Sequence, residues 1–300
     1  MGKLAVLFAG QGAQNSGMGR ELYENSAAAR EIFSLVDTIR PGTSEQCFTA
    51  SKQELSETSV TQPCVFAVDL AAAAALSERG IKADYAAGFS LGEIPALAFG
   101  GYLTPAEAAR FVLRRGELMA EVAQDKPGAM FAVLGLPSDE VEAIANTLGD
   151  CWPVNYNSAE QTVIACSLQT AERVPDSVKS AGGKALRVAV SGAFHSPMMA
   201  GASQALRAEF AGMTFQTGKI TVISNVTARP YETLDQLFEQ VCSPVRWLRT
   251  LEYLVSEGVD RFVEVGPGKV LSGLIRRSFP ELTVANVETT EEITAALEVL

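Results

Sequence analysis

The stretch Gly88-Phe89-Ser90-Leu91-Gly92-Glu93 has the spacing G-x-S-x-G, in which a serine is held at the tip of a strained turn between a strand and a helix. Backbone and neighbouring elements come too close at such a turn for a Cβ on either flank, which is a steric reason for both glycines. The pattern predicts a short strand over 84–87, a tight turn and a helix from near Leu91. The Ser90 hydroxyl is then exposed above a sheet, and the Leu91 N–H at the helix start points where an oxyanion would form. A chain built around this turn still needs a base for the serine, a second oxyanion donor and a means of choosing its substrate.

With 300 residues and 47% hydrophobic content, the chain can bury the core of one large domain or two unequal ones. Residues 4–8 are a continuous apolar run, as a parallel strand covered on both faces requires. A helix over 63–79 closed by Gly80, apolar nearly all round, precedes the 84–87 strand. This order is that of an α/β domain with a parallel sheet. Thr104-Pro105-Ala106-Glu107 is a capping box with proline at N1, opening a helix to about Val122.

Beyond residue 126 the texture changes. A strand over 128–134, a helix over 138–147 capped by Ser138, strands over 152–157 and 161–165, a helix over 170–181 and a strand over 184–188 follow in turn. The order β-α-β-β-α-β is that of a ferredoxin-like module. The expected fold class is therefore α/β, with a parallel-sheet core of α/β-hydrolase type over 1–125 and 191–300 and a small ferredoxin-like subdomain inserted at 126–190. The remainder predicts a strand over 219–226, a helix opened by Pro244-Val245-Arg246-Trp247 and closed by Gly258, and a strand over 261–265. A helix to Arg277, a strand over 284–286 and a last helix capped by Thr290 complete it.

Several function classes are disfavoured. The net charge of −11 argues against nucleic-acid binding, which normally needs a basic face. The glycine-rich loop after residue 8 has phosphate-loop spacing from Gly12 to Gly17, but Met18 and Gly19 stand where Lys and Ser/Thr belong. Its dinucleotide fingerprint fails at Asn15, so the loop is either a plain turn or a second oxyanion donor. No stretch approaches the roughly 20 apolar residues that span a bilayer, and the first residues lack the features of a signal peptide. Cys47, Cys64, Cys151, Cys166 and Cys242 are odd in number and scattered, as core residues in a reducing, cytoplasmic setting.

His195, in Ala193-Phe194-His195-Ser196-Pro197, is the only histidine in the chain. If an imidazole activates Ser90, His195 must supply it, and no second histidine or thiolate cluster exists to make it a metal ligand. On the 105–122 helix, Arg115 falls on the apolar stripe of Ala108, Phe111, Val112, Met119 and Val122, whereas Arg114 lies on the charged face. An inward guanidinium requires an anionic partner, either in a structural salt bridge or as a bidentate clamp for a substrate carboxylate.

With these residues placed, the chain resembles the malonyl-CoA:acyl-carrier-protein transacylases, including the acyltransferase domains of polyketide synthases. The matching pieces are Phe8 to Gln14, Gly88 to Glu93, Arg115-Gly116 with Met119, and Asn155-Tyr156-Asn157-Ser158. They continue through Ala193 to Pro197, Asn225-Val226-Thr227 and Val265-Gly266-Pro267-Gly268-Lys269-Val270-Leu271, in order over essentially the whole length. The resemblance implies a Ser90–His195 dyad working by ping-pong transfer, with the N–H groups of Gln11 and Leu91 as the oxyanion hole. It further implies that the Gln240 carbonyl accepts from the histidine, that Arg115 pairs with the malonyl carboxylate, and that Asn157 binds substrate. Phe194 favours malonyl by crowding an α-methyl group.

Malonyl-CoA and an acidic, phosphopantetheinylated acyl carrier protein are the implied partners of a monomer without cofactor, nucleic acid or membrane. Lys184, Arg187, Arg276 and Arg277 form the expected carrier-docking patch. Two positions depart from the family: Phe89 replaces the usual histidine before the nucleophile, and Ile94-Pro95 replaces Tyr-Ser. The rival reading is a serine esterase or thioesterase, which needs a carboxylate for the histidine, with Asp139 or Glu172 as nominees.

Overall fold

A computed structural model describes residues 2–190 and 192–300; Met1 and Ser191, the latter at the expected domain boundary, lie outside the described residues. Among the described residues, nine strands form two sheets: β1 (Lys3–Phe8), β2 (Tyr85–Gly88), β3 (Gly128–Leu134), β4 (Cys151–Ser158), β5 (Gln161–Ser167), β6 (Lys184–Arg187), β7 (Thr221–Ile223), β8 (Val259–Val265) and β9 (Thr283–Val287). The first sheet is parallel in the order β7-β2-β1-β8-β9. Its central strand β1 is buried from Leu4 onward, which is why that run carries no alternation of apolar and polar residues.

The second sheet is antiparallel, in the order β4-β5-β3-β6, and is drawn entirely from residues between 128 and 187. The two sheets together are the expected α/β architecture with a small antiparallel unit. The strand nearest its edge, β6, is exposed apart from Ala185.

The helix Thr58–Glu78 starts upstream of Pro63, which consequently lies inside it rather than at its start. It is 21 residues long and apolar enough to cross a membrane by length and composition alone, contrary to the expectation that no stretch approaches that length. In the fold, most of this helix is buried inside the protein. It packs between the helices Ala27–Ile39 and Pro105–Asp125, so its all-round apolarity serves the core.

The capping box at Thr104 forms in both directions: Thr104 Oγ1 accepts the Glu107 N–H at 3.2 Å, and Glu107 Oε2 accepts the Thr104 N–H at 2.8 Å. Other ends differ from expectation for local reasons. Pro137, not Ser138, is the N-cap of Ser138–Leu148, with no side-chain cap bond. The helix expected over 170–181 is two pieces, Leu168–Ala171 and Val174–Ser180, the second carrying Pro175 in its first turn, where a proline cannot donate into a preceding turn. The strand expected over 219–226 shortens to β7, because Ser224 to Arg229 close a turn through the Ser224 N–H to Arg229 C=O bond of 2.9 Å. Thr289, not Thr290, caps the last helix.

Candidate active site

The elbow after β2 is a single 3₁₀ turn, Ser90–Gly92, leading into the helix Glu93–Phe99. Ser90 has φ of 54°, the left-handed strain that the motif foretold. Both glycines are sterically required. A Cβ on Gly88 would lie 1.9 Å from the Gly92 carbonyl carbon, and one on Gly92 would lie 2.2 Å from Phe8 O. Pro95 is accommodated in the first helical turn, where its missing N–H removes no bond.

Ser90 Oγ lies 2.6 Å from His195 Nε2, and His195 Nδ1 lies 2.8 Å from the Gln240 carbonyl oxygen. A carbonyl only accepts, so Nδ1 carries the hydrogen and Nε2 presents its lone pair to the serine hydroxyl. His195 also has a left-handed backbone, φ 62°, in a loop tied by the Ser196 hydroxyl to Ala193 C=O at 2.6 Å. Burial, reinforced by the positive charge of Arg115, pulls the imidazole down to about 4 against the raising effect of the Gln240 and Ser243 backbone. The group is a base only above that value. The acid limb of kcat/KM for acylation should therefore fall near pH 4 rather than near the ordinary histidine value of about 6.5. A pH profile with its acid limb at the ordinary value would contradict this environment.

Among the described residues, no carboxylate bonds the histidine. Asp139 and Glu172, the acids nominated for an esterase, are exposed on the antiparallel unit, and the Gln240 carbonyl occupies Nδ1. The Ser90 N–H is itself engaged by Asn225 Oδ1 at 2.8 Å, so it is not a free oxyanion donor. Gln11 borders the same cavity, and its loop is pressed on the elbow: a Cβ on Gly10 would lie 2.6 Å from Phe89 O. The expected oxyanion donors belong to this loop, at Gln11, and to the residue after the nucleophile, at Leu91.

Arg115 is almost wholly buried, at 1% exposure, and joins this cavity. Its Nη1 donates to Gln62 Oε1 at 2.7 Å, and its Nη2 to Gln240 Oε1 at 2.8 Å and to Ser90 Oγ at 3.2 Å. Nε has no partner, and no ion pair among the described residues involves this guanidinium. The structural salt bridge considered from the sequence is thus not formed. Burial pulls Arg115 down to about 10, with Glu93 and Tyr231 acting the other way, so it keeps its charge at neutral pH. A buried cation held by neutral amides, with a donor unused, has the charge and the hydrogen to accept an anion.

Phe194 and Asn157 also border the cavity, at 5% and 7% exposure, and the oxygen of the Asn157 side chain has no partner. Phe89 packs edge-on against Trp247, with ring centroids 5.5 Å apart. Lys184 and Arg187 are exposed on β6, and Arg277 lines the cavity beside Val270 and Leu274. Arg276 is turned away, donating to Val284 C=O at 3.0 Å.

Sequence reasoning gave no part to Asn225, Gln62 or Glu93, nor to the Gln240 side chain, whose Nε2 donates to Ser90 C=O at 2.6 Å. Asn225 and Glu93 lay within motifs already singled out. Nothing in the sequence links Gln62 to Arg115, which meet only because two long helices pack together.

The family model for the acyl transferase domain matches residues 6–295. A malonyl CoA-acyl carrier protein transacylase of Bacillus subtilis (strain 168) is 35% identical over 100% of this chain and 98% of its own. The crystal structure of a malonyl CoA-acyl carrier protein transacylase from Clostridium perfringens superposes with a TM-score of 0.94 at 33% identity, covering 99% of this chain and 96% of that one. A malonyl-transacylase in complex with its type II PKS acyl-carrier protein superposes equally well, TM-score 0.94, at 32% identity over 99% of both chains.

Proposed function

The chain belongs to the acyl transferase domain family, and we propose that it moves a malonyl group from malonyl-CoA to the phosphopantetheine thiol of an acyl carrier protein through a malonyl-serine. Ser90 Oγ attacks the thioester carbonyl carbon as its proton passes to His195 Nε2. The tetrahedral oxyanion is held by the Gln11 and Leu91 N–H groups. Collapse breaks the C–S bond, and coenzyme A leaves as a thiol with the proton from His195. The carrier thiol then gives its proton to Nε2, attacks the acyl-serine and expels Ser90, which recovers the proton. The dyad needs no third acid, since the Gln240 carbonyl orients the imidazole.

One observation carries this reading: the unpaired guanidinium of Arg115 beside an activated serine fits an acyl group that ends in a carboxylate. Asn157 is assigned to substrate binding from the same cavity, and Phe194 to disfavouring an α-methyl group by about 1–3 kcal/mol. The antiparallel unit, taken as a subdomain over 126–190, covers the cavity with β4 and β5 side chains. The enzyme acts without a cofactor, as a monomer, in the cytoplasm away from nucleic acid and membrane, which its free cysteines and acidic charge fit. Its product feeds carbon-chain elongation in fatty-acid synthesis, or polyketide assembly, whose malonyl donor is the same.

Incubation with malonyl-CoA and no carrier should give an intact mass increased by one malonyl group. Rapid release of coenzyme A without an adduct would instead make the protein a hydrolase. Docking of the acidic carrier is assigned to Arg277 on the cavity lining and to the exposed Lys184 and Arg187 of β6, with Arg276, turned away from the cavity, adding only distant charge. Charge reversal at Arg187 and Arg277 should raise KM for the carrier several-fold and leave KM for malonyl-CoA less changed. An unchanged carrier KM would remove this surface from consideration.

A further inference from the structure

Glu93 opens the helix behind the elbow and is fully buried. Its Oε1 accepts the Asn225 N–H at 2.6 Å. Asn225 in turn grips the elbow on both sides, accepting the Ser90 N–H and donating Nδ2 to Gly88 C=O at 2.7 Å. Glu93 Oε2 is buried and faces the Tyr231 hydroxyl, but neither atom makes a hydrogen bond of ordinary geometry. The groups that face Glu93 are Arg115 from the helix Pro105–Asp125, Tyr231 from the segment after β7, and the neutral amides of Gln240 and Asn225. On the packed helix Thr58–Glu78, the buried Asp69 is itself raised by burial and by Glu264, and it is not among the groups that act on Glu93.

Two buried groups of opposite formal charge that feel one another would ordinarily close into an ion pair. Here they do not: Arg115 gives its Nη hydrogens to the amide oxygens of Gln62 and Gln240. We propose that Glu93 is a positioning residue that works as a neutral carboxylic acid, anchoring Asn225 behind the elbow without neutralising Arg115, so that the guanidinium charge is left for the substrate carboxylate. This rests on the malonyl reading above.

Burial pushes the Glu93 carboxyl up to about 8, outweighing the contacts from Asn225, Gln240 and Tyr231 and the pull of Arg115. At pH 7 the acid form predominates. Above pH 8 a resident carboxylate appears and competes with the ligand for the same cation. A ligand that binds only the acid form of a group titrating near 8 should lose about tenfold in apparent affinity between pH 7 and 9.

The test is initial-rate acylation by malonyl-CoA and by acetyl-CoA, from pH 6.5 to 9, with wild type and Glu93→Gln. Wild type should show KM for malonyl-CoA rising about tenfold from pH 7 to 9, with little change for acetyl-CoA, which has no carboxylate. Glu93→Gln keeps an oxygen for the Asn225 N–H and cannot ionise, so its malonyl-CoA KM should stay flat. An alkaline rise that persists in Glu93→Gln, or that is equal for both donors, overturns the proposal. So does a wild-type KM that is flat to pH 9. If Glu93→Gln does not fold, the two donors compared in wild type still decide. Failure of wild type to take malonyl at pH 7 would instead refute the function itself.

Discussion

Ser90→Ala should lower malonyl transfer on the order of 10⁶-fold, the scale seen when a serine nucleophile is removed, and should abolish the malonyl adduct in the intact mass. The loss is chemical rather than structural. The bonds that hold position 90 run through its backbone, its N–H to Asn225 and its C=O from Gln240, and both survive the substitution. Alanine also meets the same left-handed φ of 54° as serine. His195 stays oriented by Gln240 but has no hydroxyl to deprotonate. A malonyl adduct on Ser90→Ala would place the nucleophile elsewhere and sink the dyad.

Arg115→Ala should lower kcat/KM for malonyl-CoA by about 2–4 kcal/mol, roughly 30- to 1000-fold, the usual range for truncating one partner of a desolvated charge pair. The informative quantity is the ratio of malonyl to acetyl transfer. Removal of the cation also frees the Gln62 and Gln240 oxygens, which slows both donors through the distorted surroundings of Ser90. Only the malonyl donor loses its counter-charge, so the ratio should collapse. Equal losses for the two donors would reduce Arg115 to a scaffold for its amide neighbours.

The parts of this fold written in local pattern could be read from the sequence. The elbow glycines, the Thr104 capping box and the β-α-β-β-α-β order each reflect spacing within a few residues or one short module. Element ends were less legible. A helix can begin before Pro63 because burial of its neighbours outweighs one missing donor. The division after Ala171 and the short β7 depend on turns whose bonds are not visible in composition.

At the site, Arg115 announced itself as a charge on an apolar stripe, and His195 by being alone. The amides that hold the guanidinium gave no such sign. Gln62 lies 53 positions from Arg115 and Gln240 lies 125 positions away. Their spacing encodes nothing until helix packing brings them together.

Gln240 has a consequence for how this enzyme can change. Its carbonyl holds the base, its Nε2 the nucleophile's carbonyl, and its Oε1 the guanidinium. In the proposed mechanism, reactivity and acyl choice therefore meet at one residue, through its backbone and its side chain together. Redesign aimed at larger or uncharged acyl groups will drag the turnover number with it wherever it moves Arg115. Broadening that spares speed should start from Phe194, which lines the same cavity and shares no bond with that amide.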